Sequence, residues 1–261
     1  MVTTGGLDLG PRIEENASAL AACSAAFEML APADAGSRFP LVSLPEGATA
    51  LFQPDSGIVN ADATVSACVR LAARAGAEVV EEARVLELDP GSERVRLRTK
   101  DLDVIANVVV VTAGAWAKAL LEQVGVHLPV RPTRETIAYF DLDGPLTPTL
   151  VEWGDPSIYS LPSPGQGIKA GQHIAGPVTD PDEAGRVNRE SVETISRWVT
   201  ERYPTAVPQP HHAETCIYTN TEDERFILER HGHIVVGSPC SGHGFKFAPL
   251  IGERLAALAL D

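Results

Sequence analysis

The chain has 261 residues, of which 44% are hydrophobic and 21% charged, so it has enough apolar material for a packed core and is not a disordered chain. Its net charge of −14 argues against a nucleic-acid or anionic-membrane partner, because phosphate binding requires a basic surface. No apolar run approaches the ~20 residues of a membrane span, no secretory signal opens the chain, and the four scattered cysteines favour a reduced, cytoplasmic protein.

The first third of the chain predicts helices and short strands. Residues 15–30 are rich in alanine and predict a helix. Residues 48–60 predict a strand, a turn at PDSG and a second extended piece. Residues 61–80 predict the clearest helix of the chain, because their apolar residues have helical spacing and an AG pair follows near its end.

Three strands and another helix are predicted next. The strands lie within 78–89, 94–100 and 104–114, and the helix spans 114–125. The segment NVVVVTAG is almost entirely β-branched and apolar, which predicts a strand covered on both faces, as in a parallel sheet.

The pattern changes after residue 130. Pro- and Gly-rich loops separate four predicted strands, and a helix over 188–204 interrupts them, which is typical of a mixed or antiparallel sheet. The last section returns to a strand, a turn and a helix. The four strands are predicted within 134–143, 157–164, 167–176 and 213–223, and the final strand and helix within 233–240 and 245–260.

Several motifs each permit a functional and a purely structural interpretation. In SGHGFKF, His243 and Lys246 would share a face at a helix N-terminus and could bind an electron-rich group, or the lysine could simply be solvated. In the strand GIKAG, Lys169 and Gly171 face one way and their neighbours the other, so Lys169 is either a site residue or an exposed edge lysine. Cys216 is either functional or a small buried hydrophobe.

Two further motifs carry less information. The strand–helix turn in VVVVTAGAW could admit a ligand to backbone amides or could be only a tight turn. GQGIKAG lacks the GxGxxG spacing, so it is not interpreted as a dinucleotide loop. The remaining histidines have no convincing ligand spacing, and no metal is predicted.

Taken in order, these segments resemble the monomeric sarcosine oxidase and N-methyltryptophan oxidase family, FAD-dependent amine oxidoreductases of the D-amino acid oxidase-like group. The resemblance covers nearly the whole chain. The segments that carry it are TGGLDLG, ALFQPDSGIVN, VVVVTAGAW, RPTRETIAYF, IYSLPSPGQGIKAGQH, ETCIYTNTEDERFILE and GSPCSGHGFKFAPLIGE.

The resemblance implies a role for individual residues. Lys169 matches the lysine beside the flavin that promotes reaction with oxygen, and Lys246 matches a lysine that binds the substrate carboxylate. Cys216 matches the cysteine that forms a thioether to the flavin 8α-methyl group. The other residues implied in catalysis or substrate binding are Tyr159, His173, Tyr218 and His243. Those implied in binding FAD are Cys216, Val85, Thr112, Ala113, Gly114, Trp116, Gly242, Gly244, Phe245 and Lys246.

The resemblance also predicts the architecture, which is α/β plus α+β. An incomplete, Rossmann-like FAD-binding domain, formed by 48–125 and 226–261, is expected to interleave with a mixed-sheet substrate domain, formed by 1–47 and 126–225. The family's first strand, GxGxxG loop and helix have no counterpart in the sequence, so we expect an N-terminally truncated relative that binds FAD weakly or not at all.

The implied reaction is the oxidation of a secondary amine, such as the N-methyl amino acid sarcosine, to an imine, with FAD as cofactor and O2 reduced to hydrogen peroxide. Two alternatives stay open: an FAD-dependent amino acid dehydrogenase, and a non-catalytic fragment that cannot hold FAD because the GxGxxG segment is absent.

Overall fold

The computed structural model describes residues 1–261. Six α-helices and sixteen strands make up the regular structure, with short 3₁₀ helices at Gly114–Trp116 and Phe245–Phe247. The helices are α1 (Ile13–Ala22), α2 (Pro32–Arg38), α3 (Ala61–Arg74), α4 (Ala117–Glu122), α5 (Arg189–Arg202) and α6 (Ala248–Leu260). The strands are β1 (Val2–Thr3), β2 (Gly6–Leu9), β3 (Glu28–Leu30), β4 (Ala50–Gln53), β5 (Gly57–Ile58), β6 (Glu87–Pro90), β7 (Val95–Arg98), β8 (Asp103–Ala106), β9 (Val109–Val111), β10 (Arg131–Phe140), β11 (Thr149–Glu152), β12 (Ile158–Pro162), β13 (Ile168–Gln172), β14 (His212–Asn220), β15 (Ile227–His231) and β16 (Ile234–Ser238).

The chain divides into two compact units, each made of separated segments. Unit 1 comprises 1–60, 135–176 and 184–216, and unit 2 comprises 61–134, 177–183 and 217–261. The segment 48–60, predicted in the FAD-binding domain, therefore falls in unit 1, and the segments 126–134, 177–183 and 217–225, predicted in the substrate domain, fall in unit 2. Which ligand each unit holds stays a prediction.

Unit 1 is built on an eight-stranded mixed sheet. The strand order is β14-β10-β13-β12-β11-β2-β4-β3, in which β11 and β2 run parallel. Strands β10 and β14 continue along the chain into unit 2. One face of the sheet packs against α5 through a single large core that includes Phe140, Ile195 and Tyr203.

Helix α5 shows how its sequence determines both its start and its buried face. The side chain of Asn188 accepts hydrogen bonds from the backbone amides of Glu190, at 3.0 Å, and Ser191, at 3.3 Å, which caps the helix N-terminus. The spacing of Ile195, Trp198 and Val199 places all three on one buried face.

Unit 2 contains two three-stranded sheets, β15-β16-β9 and β6-β7-β8. Strand β9 pairs with β16 in parallel, as the sequence predicted. Its predicted burial on both faces is wrong, because Val110 is 41% exposed while Val109 and Val111 are buried. Its only partner is β16, so β9 is an edge strand.

The other helix and strand predictions agree with the structure except at three places. Of the strand predicted within 78–89, only β6 at Glu87–Pro90 forms, and residues 78–86 are irregular. Residues 15–30 do not form one helix, because the chain turns at Ser24, whose φ is +55°, and then continues into β3. The predicted strand over 104–114 is interrupted and forms β8 and β9. None of the helices combines the length and the hydropathy that crossing a membrane requires.

Candidate active site

In unit 1, the face of the sheet opposite the core carries Lys169. On β10, β13 and β12 the residues Tyr139, Lys169 and Leu161 are direct cross-strand neighbours. Their sequence neighbours Ala138 and Ala170 are fully buried in the core beneath the sheet. Side chains alternate between faces along a strand, so Lys169 and Gly171 share the face away from the core, as the sequence predicted.

Tyr139 is a neighbour of Lys169 that the sequence analysis did not single out. Its hydroxyl donates a hydrogen bond to Oε1 of Glu214 at 2.8 Å. Partial burial and this carboxylate raise the pKa of Tyr139 to about 12, with smaller contributions from Tyr159 and Cys216. Tyr139 is therefore a protonated donor at neutral pH, and Tyr159 and Cys216 lie close enough to influence its charge.

Tyr159 lies across from Gly171, and the glycine makes room for it. A Cβ atom at position 171 would stand 2.9 Å from the Tyr159 hydroxyl oxygen and 3.0 Å from Cγ2 of Ile137. Both distances are shorter than ordinary van der Waals contact, so any side chain at this position would have to move the phenol ring. Glycine at 171 thus permits the tyrosine to lie beside the Lys169 strand.

His173 and Cys216 lie near the Lys169 strand, one just after β13 and the other on β14. His173 follows β13 directly, and its amide donates to the carbonyl of Ser157 at 2.9 Å. Cys216 is a half-buried cysteine on β14 that forms no disulfide, and it lies two residues after Glu214, so the two side chains share one face of that strand.

In unit 2, the second group of predicted residues centres on the turn between β16 and α6. Ser241 and Gly242 both have positive φ angles, of +46° and +74°. A side chain at position 242 would collide with the ring of Tyr218, and one at position 244 would collide with the Pro239 carbonyl. The turn is anchored to β14 by a 3.0 Å bond from the Ser241 amide to the Thr219 carbonyl.

His243 is held in a defined orientation within this turn. Its Nδ1 lies 2.9 Å from the carbonyl oxygen of Ser241, and its ring stacks on Phe226 with centroids 5.1 Å apart. A carbonyl only accepts, so Nδ1 carries a proton in this contact, and in the neutral ring Nε2 offers a lone pair. The side chain is half-buried.

Lys246 corrects one expectation from the sequence. The chain at Phe245–Phe247 forms a 3₁₀ helix and α6 begins only at Ala248, so His243 and Lys246 do not share the first turn of an α-helix. The Lys246 ammonium is exposed and lies 5.8 Å from the ring centroid of Phe247. It is a solvent-accessible cation that a carboxylate could reach.

The strand–helix turn after β9 holds the remaining predicted residues of unit 2. Gly114 has a φ of +51°, and a Cβ placed there would meet nothing within 4 Å. Thr112, Ala113 and Trp116 flank it and lead into α4. The open space at Gly114 lets another molecule approach the backbone of this turn.

Asp182, which the sequence analysis did not identify, ties this turn to the segment that contains Val85. One carboxylate accepts from Trp116 Nε1 at 2.7 Å and from the Arg84 guanidinium at 2.7 Å. The hydrogen bonds from Arg84 and then Trp116 lower the pKa of Asp182. Three segments that are distant in sequence therefore meet within unit 2, a link that no local sequence pattern indicates.

Two buried polar atoms in unit 2 have no protein partner. Asn220 donates through Nδ2 to Thr133 Oγ1 at 2.8 Å, but its Oδ1 accepts nothing, and Oγ of Ser238 is also unpaired. Ser238 ends β16 just before the SGHG turn, and Asn220 ends β14. Such atoms normally find a partner, so with the open turn at Gly114 they fit a bound polar cofactor.

The predicted residues therefore fall into two groups. Unit 1 holds Tyr159, Lys169, His173 and Cys216, and unit 2 holds the rest: Val85, Thr112, Ala113, Gly114, Trp116, Tyr218, Gly242, His243, Gly244, Phe245 and Lys246. No group of three or more His, Cys, Asp or Glu side chains is placed to hold a metal ion.

Comparison with known proteins gives a consistent result. The family described as FAD dependent oxidoreductase matches residues 2–258. Monomeric sarcosine oxidase of Bacillus sp. (strain B-0618) is 31% identical over 98% of this chain and 71% of its own length. Human peroxisomal sarcosine oxidase is 33% identical over 85% of this chain and 61% of its own.

A solved structure is similar over the entire chain. The open form of NikD, an unusual amino acid oxidase essential for nikkomycin biosynthesis, superposes with a TM-score of 0.87 at 27% identity. The match covers 100% of this chain and 74% of NikD.

Proposed function

We infer the reaction of this chain from its family: the chain belongs to the FAD-dependent oxidoreductases, and its cofactor is FAD. We propose that it oxidises the C–N bond of a secondary amino acid, and that sarcosine or another N-methyl amino acid is the substrate. The relatives named as sarcosine oxidases support this substrate class.

The observation that carries the proposal is the arrangement of one sheet face in unit 1. Lys169 stands there with a cross-strand tyrosine beside it, and Tyr159 and Cys216 are near enough to influence that tyrosine. A cation, a phenol and a thiol on one rigid sheet form a preorganised polar surface. The opposite face is core, which holds the strands and their register in place.

FAD supplies the redox chemistry when bound, accepting two electrons and a proton equivalent from the amine and passing the electrons to O2. The residues proposed to bind it are Cys216 in unit 1 and, in unit 2, the turn at Thr112–Trp116, Val85 and the SGHG turn with Phe245 and Lys246. Ser238 Oγ and Asn220 Oδ1 are available to its polar groups.

Each remaining residue has a proposed part. The Lys169 ammonium stabilises negative charge that develops as O2 is reduced to hydrogen peroxide. Lys246 binds the substrate carboxylate, and His243 accepts or returns a proton at Nε2. Tyr159 and His173, in unit 1, are proposed to contact the substrate and orient the amine, and Tyr218, in unit 2, is proposed as a substrate-binding residue. The imine leaves and adds water, which gives the primary amine and an aldehyde.

The covalent link is a separate proposal. The Sγ of Cys216 would bond to the 8α-methyl carbon of the flavin, releasing the thiol proton and a methyl hydrogen. The two electrons of that step would pass to O2, giving one peroxide for each link formed. We also propose a cytoplasmic location, since none of the four cysteines forms a disulfide.

The non-catalytic alternative rests on one observation: the sequence contains no GxGxxG motif to cradle the pyrophosphate. A dehydrogenase, the other alternative, would reduce the flavin but not react with O2. Lys169 favours the oxidase, because a cation stabilises the reduced oxygen species.

The test is an absorption spectrum of the purified chain followed by acid precipitation, with Cys216→Ser as control. Yellow colour retained in the pellet of the parent but not of the variant supports covalent FAD. Peroxide release with sarcosine, reduced strongly in Lys169→Met, supports the oxidase. A colourless protein that takes up no added FAD contradicts the proposal.

A further inference from the structure

The turn after β13 has an unusual backbone. Ile174 has a φ of +52°, a left-handed conformation that β-branched residues rarely adopt. The residue comes directly after His173. A conformation of this kind costs energy and persists only where neighbouring groups hold it.

Glu135 provides the group that holds the turn. Its Oε2 accepts hydrogen bonds from the amides of both Ala175, at 3.0 Å, and Gly176, at 2.8 Å. Successive amides around a left-handed residue form a concave site for an anion, and here a carboxylate of the same unit fills it. Charge-assisted bonds of this type are stronger than neutral ones.

Burial makes this arrangement specific. Glu135 is only 1% exposed, which is unusual for a carboxylate and costly unless it is hydrogen-bonded. It lies on β10, and the register pairs Ile137 with Gly171. Continuing this antiparallel register by two residues puts Glu135 opposite His173.

The backbone of His173 is therefore held on two sides. Its own amide donates to the carbonyl of Ser157, and the turn that follows is tied to Glu135. Because His173 directly precedes the strained residue Ile174, the backbone conformation of the turn sets the direction of the His173 side chain. Loss of this acceptor oxygen would let Ile174 relax out of the left-handed region and would move the imidazole.

We propose that Glu135 is a positioning residue for His173, acting through the Ile174 turn. The importance of His173 itself rests on the proposed function, but the structural coupling between the two residues does not. Glu135 has no role in the reaction as described above. The proposal adds a buried residue on the same face of the sheet as Lys169, which sets the geometry of His173.

The experiment uses nuclear magnetic resonance on the full chain, without added flavin. In Glu135→Ala, we expect amide exchange at Ala175 and Gly176 to rise about tenfold or more, and the His173 imidazole resonance to shift. Glu135→Gln keeps an acceptor oxygen and is expected to preserve both signals. Glu28→Gln, an exposed glutamate on β3 of the same sheet, is the matched control and should leave both unchanged.

A second variant separates strain from simple loss of a contact. Ile174→Gly adopts a positive φ without cost, so Glu135→Ala made in that background should shift the His173 resonance less. If Glu135→Ala does not fold, Glu135→Asp, whose oxygens are withdrawn from the two amides by one methylene, takes its place, and an unmoved His173 resonance there overturns the proposal.

Faster exchange at Ala175 and Gly176 with an unmoved His173 resonance would show a merely structural anchor and overturn the proposal. Unchanged exchange would overturn it as well. Failure to bind flavin or oxidise sarcosine, with the resonance effects present, would instead count against the proposed function.

Discussion

Helices α3 and α5 are both 14 residues long, and both are amphipathic, with an apolar face and a polar face. Helix α5 buries Ile195, Trp198 and Val199 in the core of unit 1, whereas no residue of α3 in unit 2 is buried. On α3, Val65 and Leu71 are 53% and 62% exposed. An amphipathic pattern thus identifies a helix but does not say how much of its apolar face is covered.

The two units differ in the same way. Unit 1 has one large core that contains fully buried aromatic and aliphatic side chains such as Phe140, Tyr203 and Leu150. Unit 2 divides its buried apolar residues between two smaller clusters and exposes Val79, Val80 and the middle of β9. We therefore expect substitutions of similar chemistry to have unequal effects in the two units.

The largest difference in the free energy of unfolding is expected between Ile195→Ala in α5 and Leu71→Ala in α3. Ile195 is fully buried, so its truncation removes apolar contacts and leaves a cavity, at a cost of about 2–5 kcal/mol in the free energy of unfolding. The exposed Leu71 should change it by about 0.5 kcal/mol or less. Urea denaturation of the two variants measures both values, and equal losses would contradict the comparison.

The next largest effect concerns an ion pair in unit 1. Oxygens of Glu152 accept from Arg202 Nε at 2.7 Å and from Trp198 Nε1 at 2.6 Å. Arg202 is 11% exposed in its side chain, so Glu152→Ala should cost about 2–3 kcal/mol, because it removes both hydrogen bonds to the guanidinium and leaves only Glu201, at 3.6 Å. The exposed pair of Arg84 with Asp182 in unit 2 is the control, and Asp182→Asn should not measurably shift the denaturation midpoint.

The pair of Glu152 with Arg202 also makes the stability of the fold depend on pH. Burial raises the pKa of Glu152, but the hydrogen bonds from Arg202 and Trp198 outweigh it, so the net pKa is lowered. A carboxylate with a lowered folded-state pKa stabilises the fold above its unfolded pKa of about 4.3, and this contribution is lost as the pH falls. Glu152→Gln should flatten the acid limb of the stability curve. An unchanged acid limb would show that the pair contributes nothing.

Replacing a glycine by alanine is expected to change the stability by a smaller amount, with opposite sign in the two units. Gly171→Ala in unit 1 must displace Tyr159 and should cost about 1–3 kcal/mol. Gly252→Ala lies within α6 of unit 2, with nothing within 4 Å of the new methyl group, and should stabilise by about 0.5–1 kcal/mol. Thermal denaturation distinguishes the two signs, and a stabilised Gly171→Ala would mean that Tyr159 does not need this space.

The smallest effect on stability is expected on the exposed face of α3. Replacing Val65 and Val69 together by glutamate removes no buried contact, so the unfolding midpoint should not change. Exposed apolar groups favour association, so the double variant should scatter less light at high protein concentration. A large loss of stability would show that α3 is covered in solution.

Much of the candidate site was predictable because its signals are local. The alternation of Lys169 and Gly171 with Ile168 and Ala170 gave the correct face of β13, and the glycines of SGHG indicated a tight turn. Tyr139, Glu135 and Asp182 were missed because their importance comes from partners 40 to 98 residues away in sequence. No spacing rule reports such contacts.

Family, cofactor, the longer helices and several of the strands were determined by the sequence itself, because periodicity, turn residues and motif order are properties of the linear chain. Tertiary structure alone decided that β9 is an edge strand, that α3 buries nothing and that Ile174 is held in a left-handed turn by Glu135. These features depend on which distant segments meet, and that is settled by the packing of a whole unit rather than by any window of residues.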